Sequence, residues 1–243
     1  MKRSWEYIKF VLLFGLLVFL FSFTNQRNQS RNLTKTKVEF LEENSPFITR
    51  HTVNKLLIQN HDSVTSMPKE KVVLKEVESR LLKNEMIRNA EVFINLQGTL
   101  GAKITQRNPL GRVAASPDYY IDDEGKKMPL SSVYAARVPL ITGTTQSFFT
   151  ELTPLLIAID QDPFMKSSVV GLEQQQNGEI VLRLRKHDFK VLFGKPKAIA
   201  NKFQNFKAFY KKTKQDNKLS SYKLVNLQFG NQVVATKIQS DGK

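Results

Sequence analysis

Hydrophobic and polar positions divide the chain into one long apolar run and a series of short strand-like and helix-like elements. Residues 10–24 contain no ionisable side chain and are apolar on every helical face, which is typical of a membrane-spanning helix. Residues 1–9 are basic and are expected to lie in the cytoplasm, whereas residues 25–37 are polar and aperiodic and are expected to form a flexible tether. A cleaved signal peptide is the alternative, but no small-residue cleavage site follows Phe23.

Charges on the two sides of this span do not decide its orientation, because basic residues lie both before and after it. Most of the chain follows the span, so the expected arrangement has the N-terminus inside and the folded domains outside. The chain has no cysteine, which excludes disulfides, thiolate metal sites and a cysteine nucleophile. Eukaryotic luminal domains usually carry disulfides, so this composition favours a bacterial protein.

Residues 38–108 carry the pattern of a small α+β domain with the element order β-α-α-β-β. Thr49 is placed to cap the first helix, and Pro68 precedes the second. The apolar positions of the two helices are, in order, Val53, Leu56, Leu57, Val73, Val77 and Leu81. The predicted strands are residues 38–40, 91–96 and 100–106.

Residues 104–143 contain three strand-like runs, and each run is followed by residues that typically terminate a strand. The predicted stops are the breakers Asn108, Pro109 and Gly111, the acidic turn Asp122-Asp123-Glu124-Gly125, and Gly143, with Pro139 interrupting the last run. This segment is therefore predicted to be the junction between the first domain and a second one.

Residues 109–243 are predicted to form that second domain, which is rich in β-strands. A helix is expected over 148–160, and a second, long helix is expected to open at Pro196 with an apolar stripe of Ile199, Phe203, Phe206 and Tyr210. The predicted strands are residues 169–175, 179–185, 189–193, 222–229 and 232–237. Gly230-Asn231 predicts a two-residue hairpin between the last two.

The net charge of +15 is unevenly distributed, with +6 on residues 1–37, −2 on residues 38–184 and +11 on residues 185–243. Basic ends of this kind fit anionic lipid, an acidic partner or nucleic acid. Aromatic residues of the lysine-rich helix recur at core spacing and do not form a stacking platform for bases. The pattern therefore favours a solvated lysine face over nucleic-acid binding.

Catalytic motifs are sparse in this sequence. The histidines His51, His61 and His187 are scattered without metal-ligand spacing, and no phosphate-binding glycine loop or nucleophile motif is present, so no catalytic, cofactor or metal site is predicted. Asp160-Gln161-Asp162 matches the Asp-x-Asp pattern of metal-dependent glycosyltransferases, although acidic residues also end helices for ordinary reasons. Asp122 to Glu124 is expected to be a turn with solvated charges.

Several segments together resemble the bacterial division protein family FtsQ, called DivIB in Gram-positive bacteria. The first domain resembles a POTRA module through FIT at 47–49, LLKNEMIRNAEV at 81–92 and VFINLQGTLGAKITQRNP at 92–109. The junction adds Gln106-Arg107-x-Pro109, Tyr120-Ile121-Asp122 and RVPLITG at 137–143. The resemblance implies a single transmembrane helix, a POTRA domain and a mixed β domain with a terminal hairpin.

The resemblance also implies a function, namely a non-enzymatic divisome scaffold that links early and late division proteins during septum formation. It implies FtsB/DivIC-like and FtsL-like partners, with a septal peptidoglycan synthase as a further candidate. The residues that it places at the partner site are Tyr222, Leu224, Leu227, Phe229, Gln232, Val233, Val234 and Ala235. The alternatives are a type II membrane-anchored glycosyltransferase and a POTRA-containing export or assembly component.

Overall fold

The chain folds as two compact units, Met1–Gln106 and Arg107–Lys243. The computed structural model describes residues 2–29, 32–41, 47–58, 64–69, 72–230 and 232–238, with side chains described for residues 7–26 of the first segment. Both units mix helices and strands, so the predicted α+β class is confirmed.

The first helix, α1, spans Lys2–Gln29, and its stretch Tyr7–Gln26 is long and apolar enough to cross a membrane. These 20 residues correspond to about 30 Å of helix, the thickness of a hydrocarbon core. The prediction of an irregular tether is wrong for residues 25–29, which continue α1, and for residues 35–37, which begin the first strand. No helix breaker follows Phe23, so the polar residues after it extend the helix.

The first unit has the predicted order β-α-α-β-β. Its elements are β1 Lys35–Phe40, α2 Arg50–Leu57, α3 Leu74–Leu82, β2 Ile87–Ile94 and β3 Thr99–Gln106. In the sheet β3 lies in the middle, parallel to β1 and antiparallel to β2. Both helices contribute to one apolar core, in which Val53, Leu57, Val77 and Leu81 are buried.

Local contacts explain where these elements begin and end. Thr49 caps α2 as predicted, because its hydroxyl accepts a hydrogen bond of 3.0 Å from the Thr52 N–H. The side chain of Gln106 is buried and accepts hydrogen bonds from the N–H groups of Phe47 and Ile48, which ties the entry to α2 to the end of β3. Val73 was predicted on the buried face of α3 but is exposed, since the helix begins one residue later.

The second unit holds twelve α-helices and β-strands within residues 107–230 and 232–238. They are β4 Pro109–Val113, β5 Tyr119–Asp122, β6 Lys127–Pro129, β7 Leu140–Thr142, α4 Phe149–Gln161, α5 Pro163–Ser168, β8 Val169–Gln174, β9 Ile180–Leu184, β10 Lys190–Gly194, α6 Ile199–Gln215, β11 Tyr222–Asn226 and β12 Val234–Lys237. The described strands form one sheet in the order β12-β11-β10-β9-β8-β7-β4-β5-β6.

Strand direction places the helices of this unit on one face of the sheet. The pair β7 and β8 is parallel and joined through α4 and α5, and the pair β10 and β11 is parallel and joined through α6. Such crossovers are right-handed in nearly all proteins. Since β7 and β10 run in the same direction and both connections step toward β12, the helices fall on the same side. Accordingly α4 contacts α6, and Leu155, Leu182, Val191 and Phe206 share one core.

Two boundaries near the junction differ from the prediction. The predicted breakers at 109–111 instead form most of β4, because Pro109 takes the first strand position and Gly111 lies under the Ile141 side chain, where a Cβ would collide. The long helix α6 begins at Ile199, three residues after Pro196, behind a left-handed residue at Ala198.

Gly143 gives the first testable prediction, because it has a φ of +74° and its missing Cβ would overlap the carbonyl oxygen of Gln174. Gly143→Ala is expected to lower the free energy of unfolding of the second unit by roughly 1–3 kcal/mol. Urea unfolding of the purified chain, followed by tyrosine fluorescence and circular dichroism, measures this loss.

The matched control is Gly230→Ala, since no atom lies within 4 Å of the added Cβ at Gly230 and its φ is not in the left-handed region. This variant is expected to change stability by less than about 0.5 kcal/mol. Equal unfolding curves for the two variants would show that the turn after β7 does not depend on glycine.

Candidate partner-binding site

The terminal strand pair β11–β12 is held in place by α6. Tyr222 packs its ring edge-on against Phe209 of that helix, with centroids 5.3 Å apart, and Val225 is fully buried in the core. The strand β12 is antiparallel to β11, with Val225 opposite Ala235 and Asn226 opposite Val234. Because β12 is the last strand in the sheet order, one side of its backbone has no neighbouring strand within the described residues.

Two hydrogen bonds determine which backbone groups of β12 point outward. The N–H of Ile238 donates inward to the carbonyl of Ser221, at 2.9 Å. The N–H of Leu227 donates to the carbonyl of Leu192 on β10, so alternate residues of β11, including Val225, face β10 and not β12. Since backbone direction alternates along a strand, the N–H and C=O groups of Ala235 and Lys237 point away from the sheet.

The connection between β11 and β12 is longer than the predicted two-residue hairpin. β11 ends at Asn226 and β12 begins at Val234, so the loop covers residues 227–233. It is tied down because Leu227 is only 1% exposed and because the side-chain amide of Asn205 on α6 donates to the Gly230 carbonyl at 3.2 Å. The predicted turn residue Asn231 lies outside the described residues.

The eight residues predicted for partner binding fall into three groups. Phe229, Gln232 and Val234 are exposed. Leu224 is partly buried, as are Tyr222, Val233 and Ala235, which pack against the core. Leu227 belongs to the core itself, so it can act only by supporting the loop.

Ile238 lies outside the predicted partner-binding residues, and its side chain is 56% exposed. Ile238 directly follows β12, and strand alternation puts it on the same face as Val234 and Thr236, so two large apolar side chains lie beside the open backbone edge. Strand alternation in the sequence is the signal that points to Ile238, which lies beyond the last predicted residue, Ala235.

The opposite edge of the sheet is protected in a way that β12 is not. The strand β6 has three residues, begins with Lys127 and ends with Pro129. Short length, charge and proline are the devices by which sheet edges avoid pairing with other chains. The strand β12 is also short and ends in Lys237, but it has no proline and carries the β-branched residues Val234 and Thr236, so it is the more suitable edge of this sheet for another strand.

The ammonium of Lys202 fixes the turn that leads from β10 into α6. It donates to the carbonyls of Phe193 and Lys195, both at 2.8 Å, and lies over the Phe193 ring. Burial lowers the pKa of Lys202, and the Glu179 carboxylate partly opposes that effect. The prediction of a wholly solvated lysine face on α6 is therefore wrong at Lys202, which is only 9% exposed.

Both aspartates of the Asp-x-Asp pattern have structural partners. The carboxylate of Asp162 caps α5 by accepting from the N–H groups of Phe164 and Met165, and it binds Lys207 at 2.6 Å. Burial alone would raise the pKa of Asp162, but the hydrogen bonds and charge of Lys207 and the capping N–H groups hold it below its usual range. The Asp160 carboxylate lies 2.7 Å from the Lys166 ammonium.

Other candidate chemical groups are also engaged in the fold. Asp122 was expected to be solvated but is buried, and its carboxylate accepts from Arg107 at 2.6 Å and from the N–H groups of Glu124 and Lys126. His187 bonds the Tyr210 hydroxyl at 2.8 Å, and burial lowers its pKa. Within the described segments, no group of three or more His, Asp or Glu side chains is placed to hold a metal ion, and His61 lies outside them.

Comparison with protein families gives two matches that agree with the two units. The family described as FtsQ/DivIB, C-terminal related, matches residues 108–236, which is more than half of the chain. The chain belongs to the FtsQ/DivIB family. A POTRA-like domain matches residues 36–105. No curated protein is significantly similar to the chain in sequence.

Membership of the FtsQ/DivIB family identifies the chain as a cell-division protein with a scaffold role and with other division proteins as partners. Together with the apolar stretch Tyr7–Gln26, it indicates a single-pass membrane protein. In this FtsQ/DivIB-family chain the matched region includes β11 and most of β12.

The aspartates provide a test that separates a scaffold from a glycosyltransferase. Replacing Asp160 and Asp162 together by asparagine is expected to leave division intact, because asparagine caps a helix about as well as aspartate. Complementation of a strain depleted of its own copy, scored by cell length, measures this. Filamentous growth with the variant present at wild-type level in the membrane would instead support a catalytic role for the pair.

Proposed function

We propose that this chain is a non-enzymatic scaffold of the divisome that binds an FtsB/DivIC-like partner by accepting a strand of that partner along β12. An FtsL-like protein joins through the same partner, and a septal peptidoglycan synthase is a further candidate. The N-terminus lies in the cytoplasm, the two folded units lie in the periplasm, and the protein acts at the septum, where it links early and late division proteins.

The observation that supports this proposal is the open edge of β12 beside exposed apolar side chains. The N–H and C=O groups of Ala235 and Lys237 point away from the sheet. A strand placed against them extends the sheet by up to four backbone hydrogen bonds, each contributing about 0.5–1.5 kcal/mol net. The exposed side chains of Phe229, Val234 and Ile238 add apolar area that a partner strand can cover.

The backbone bonds alone do not distinguish one partner strand from another, so specificity has to come from side chains. Alternate residues of an added strand face the same side of the sheet as Val234 and Ile238. A partner with apolar residues at two-residue spacing therefore fits this face. The POTRA unit is assigned a role in recruitment, for which the edge strands β1 and β2 are the corresponding surfaces.

Ala235→Pro is the sharpest test of strand addition. Proline at this position removes one outward N–H and leaves the inward bonds of β12 to β11 in place. Co-purification with the FtsB-like partner is expected to be lost, while the amount of protein in the membrane and its circular dichroism stay as in the wild type. The matched control is Ala235→Val, which keeps the N–H, and it is expected to retain the partner.

Deleting residues 232–243 removes the whole edge and provides a second variant in case proline disturbs β12. The truncated chain is expected to remain in the membrane and to lose the partner. Undiminished co-purification of either the deletion or Ala235→Pro would exclude β12 as the capture strand.

A further inference from the structure

Two adjoining cavities in the second unit form a continuous groove at the end of the sheet where β8 begins and β9 ends. The larger encloses 720 Å³ and the smaller 250 Å³. They share Ser167, Arg185 and Lys186 as lining residues. We call this the basic groove, and its cationic side chains are Arg137, Lys166, Arg185, Lys186 and Lys214.

The charge of the basic groove is strongly one-sided. Asp160 is the one carboxylate that lines either cavity, and it is already paired with Lys166 at 2.7 Å. Within the described part of the chain, Arg137, Arg185 and Lys186 form no ion pair. The guanidinium of Arg185 is held in place because its Nε donates to the Ser167 carbonyl at 3.2 Å, which leaves its other two nitrogens for a ligand.

The lining of the larger cavity is apolar as well as basic. Leu110, Ile159 and Val169 are buried beneath it, and Val138 and Val170 are partly exposed at its surface. A volume of 720 Å³ falls within the roughly 300–1,000 Å³ of typical ligand sites. The groove therefore offers an apolar contact area with cations beside it.

These features favour a peptide over a membrane surface as the occupant. Lipid headgroups supply anions but present a broad, flat layer, whereas the groove is concave and needs an apolar side chain to fill it. Exposed ion pairs contribute only about 0.2–1 kcal/mol each and are screened by salt, so binding has to combine charge with apolar burial. An acidic segment with interspersed apolar residues meets both requirements, and arginine binds carboxylates in a two-pronged geometry.

We propose that the basic groove binds an acidic, partly apolar peptide segment of another protein. This site is separate from the β12 edge, since β10 and β11 lie between β12 and β9, the nearer of the two strands that border the groove, a distance of about 14 Å across the sheet. The second unit thereby has two docking surfaces, one that recognises backbone and one that recognises charge. Peptide binding in the groove does not depend on strand addition at β12, so a negative result for one binding surface leaves the other proposal intact.

Fluorescence anisotropy with a labelled synthetic peptide tests this proposal on the full chain in phosphatidylcholine nanodiscs. The probe is a peptide of about eight residues in which leucines are spaced among glutamates, long enough to span roughly 26 Å when extended. It is expected to bind at about 150 mM salt. The variant Arg185→Gln with Lys186→Gln is expected to raise Kd by about tenfold or more.

The matched control removes the same charge from the exposed face of α6 through Lys211→Gln with Lys212→Gln. This pair is expected to change Kd by less than about twofold. A second peptide with serine in place of each leucine is expected to bind much more weakly, because it cannot fill the apolar part of the groove.

Four results would overturn the proposal. The first is no binding of the leucine peptide, and the second is an equal loss of affinity in the Arg185/Lys186 variant and the Lys211/Lys212 control. The third is equal binding of the serine and leucine peptides. The fourth is that the Arg185/Lys186 variant selectively loses binding to phosphatidylglycerol vesicles. The last result would assign the groove to lipid headgroups, and the second and third would reduce it to diffuse positive charge.

Discussion

Backbone hydrogen bonding in the second unit runs from strand to strand and stops at β12. A buried or paired strand satisfies both sides of its backbone, but Ala235 and Lys237 keep one side for solvent or for another chain. The other end of the same sheet is closed to pairing by the short, proline-ended β6. This asymmetry between the two edges gives the unit one suitable place to accept a strand, and the proposed scaffold role depends on it.

The edge is useful only because the rest of the unit holds it rigidly. Two parallel crossovers put α4, α5 and α6 on one face, and the buried rings of Phe203 and Phe206 attach α6 to the sheet. Lys202 fixes the turn into α6, and Asn205 of the same helix holds the loop before β12. A strand positioned in this way loses little conformational entropy when a partner binds, which favours affinity.

Hydrophobic patterning predicted most of the elements, because the short apolar runs of β8 and β9 are mostly buried and the helical spacing in α6 reflects which side chains face the core. Two errors came from tertiary contacts that local patterns do not contain. Pro109 and Gly111 read as breakers, but they form β4 because Ile141 packs over the glycine. The dipeptide at 230–231 suggested a tight hairpin, whereas the loop between β11 and β12 has seven residues, the first of which, Leu227, is buried in the core.

The proposed partner site stays a prediction, since no local signal says which strand lies at a sheet edge. The family resemblance located the terminal strands, and the structure separates core Leu227 from exposed Phe229 and Val234 and adds Ile238. The basic groove could not be predicted, because Arg137, Lys166 and Arg185 come from separate segments of the chain.

Amide hydrogen exchange, measured residue by residue on the full chain with and without the FtsB-like partner, tests strand capture most directly. If β12 captures a strand, the amides of Ala235 and Lys237 exchange at least about tenfold more slowly in the complex. The amides of Thr236 and Ile238, which already point toward β11, and those of β6 should change little. Protection at β6 or elsewhere, with Ala235 and Lys237 unchanged in a saturated complex, would contradict it.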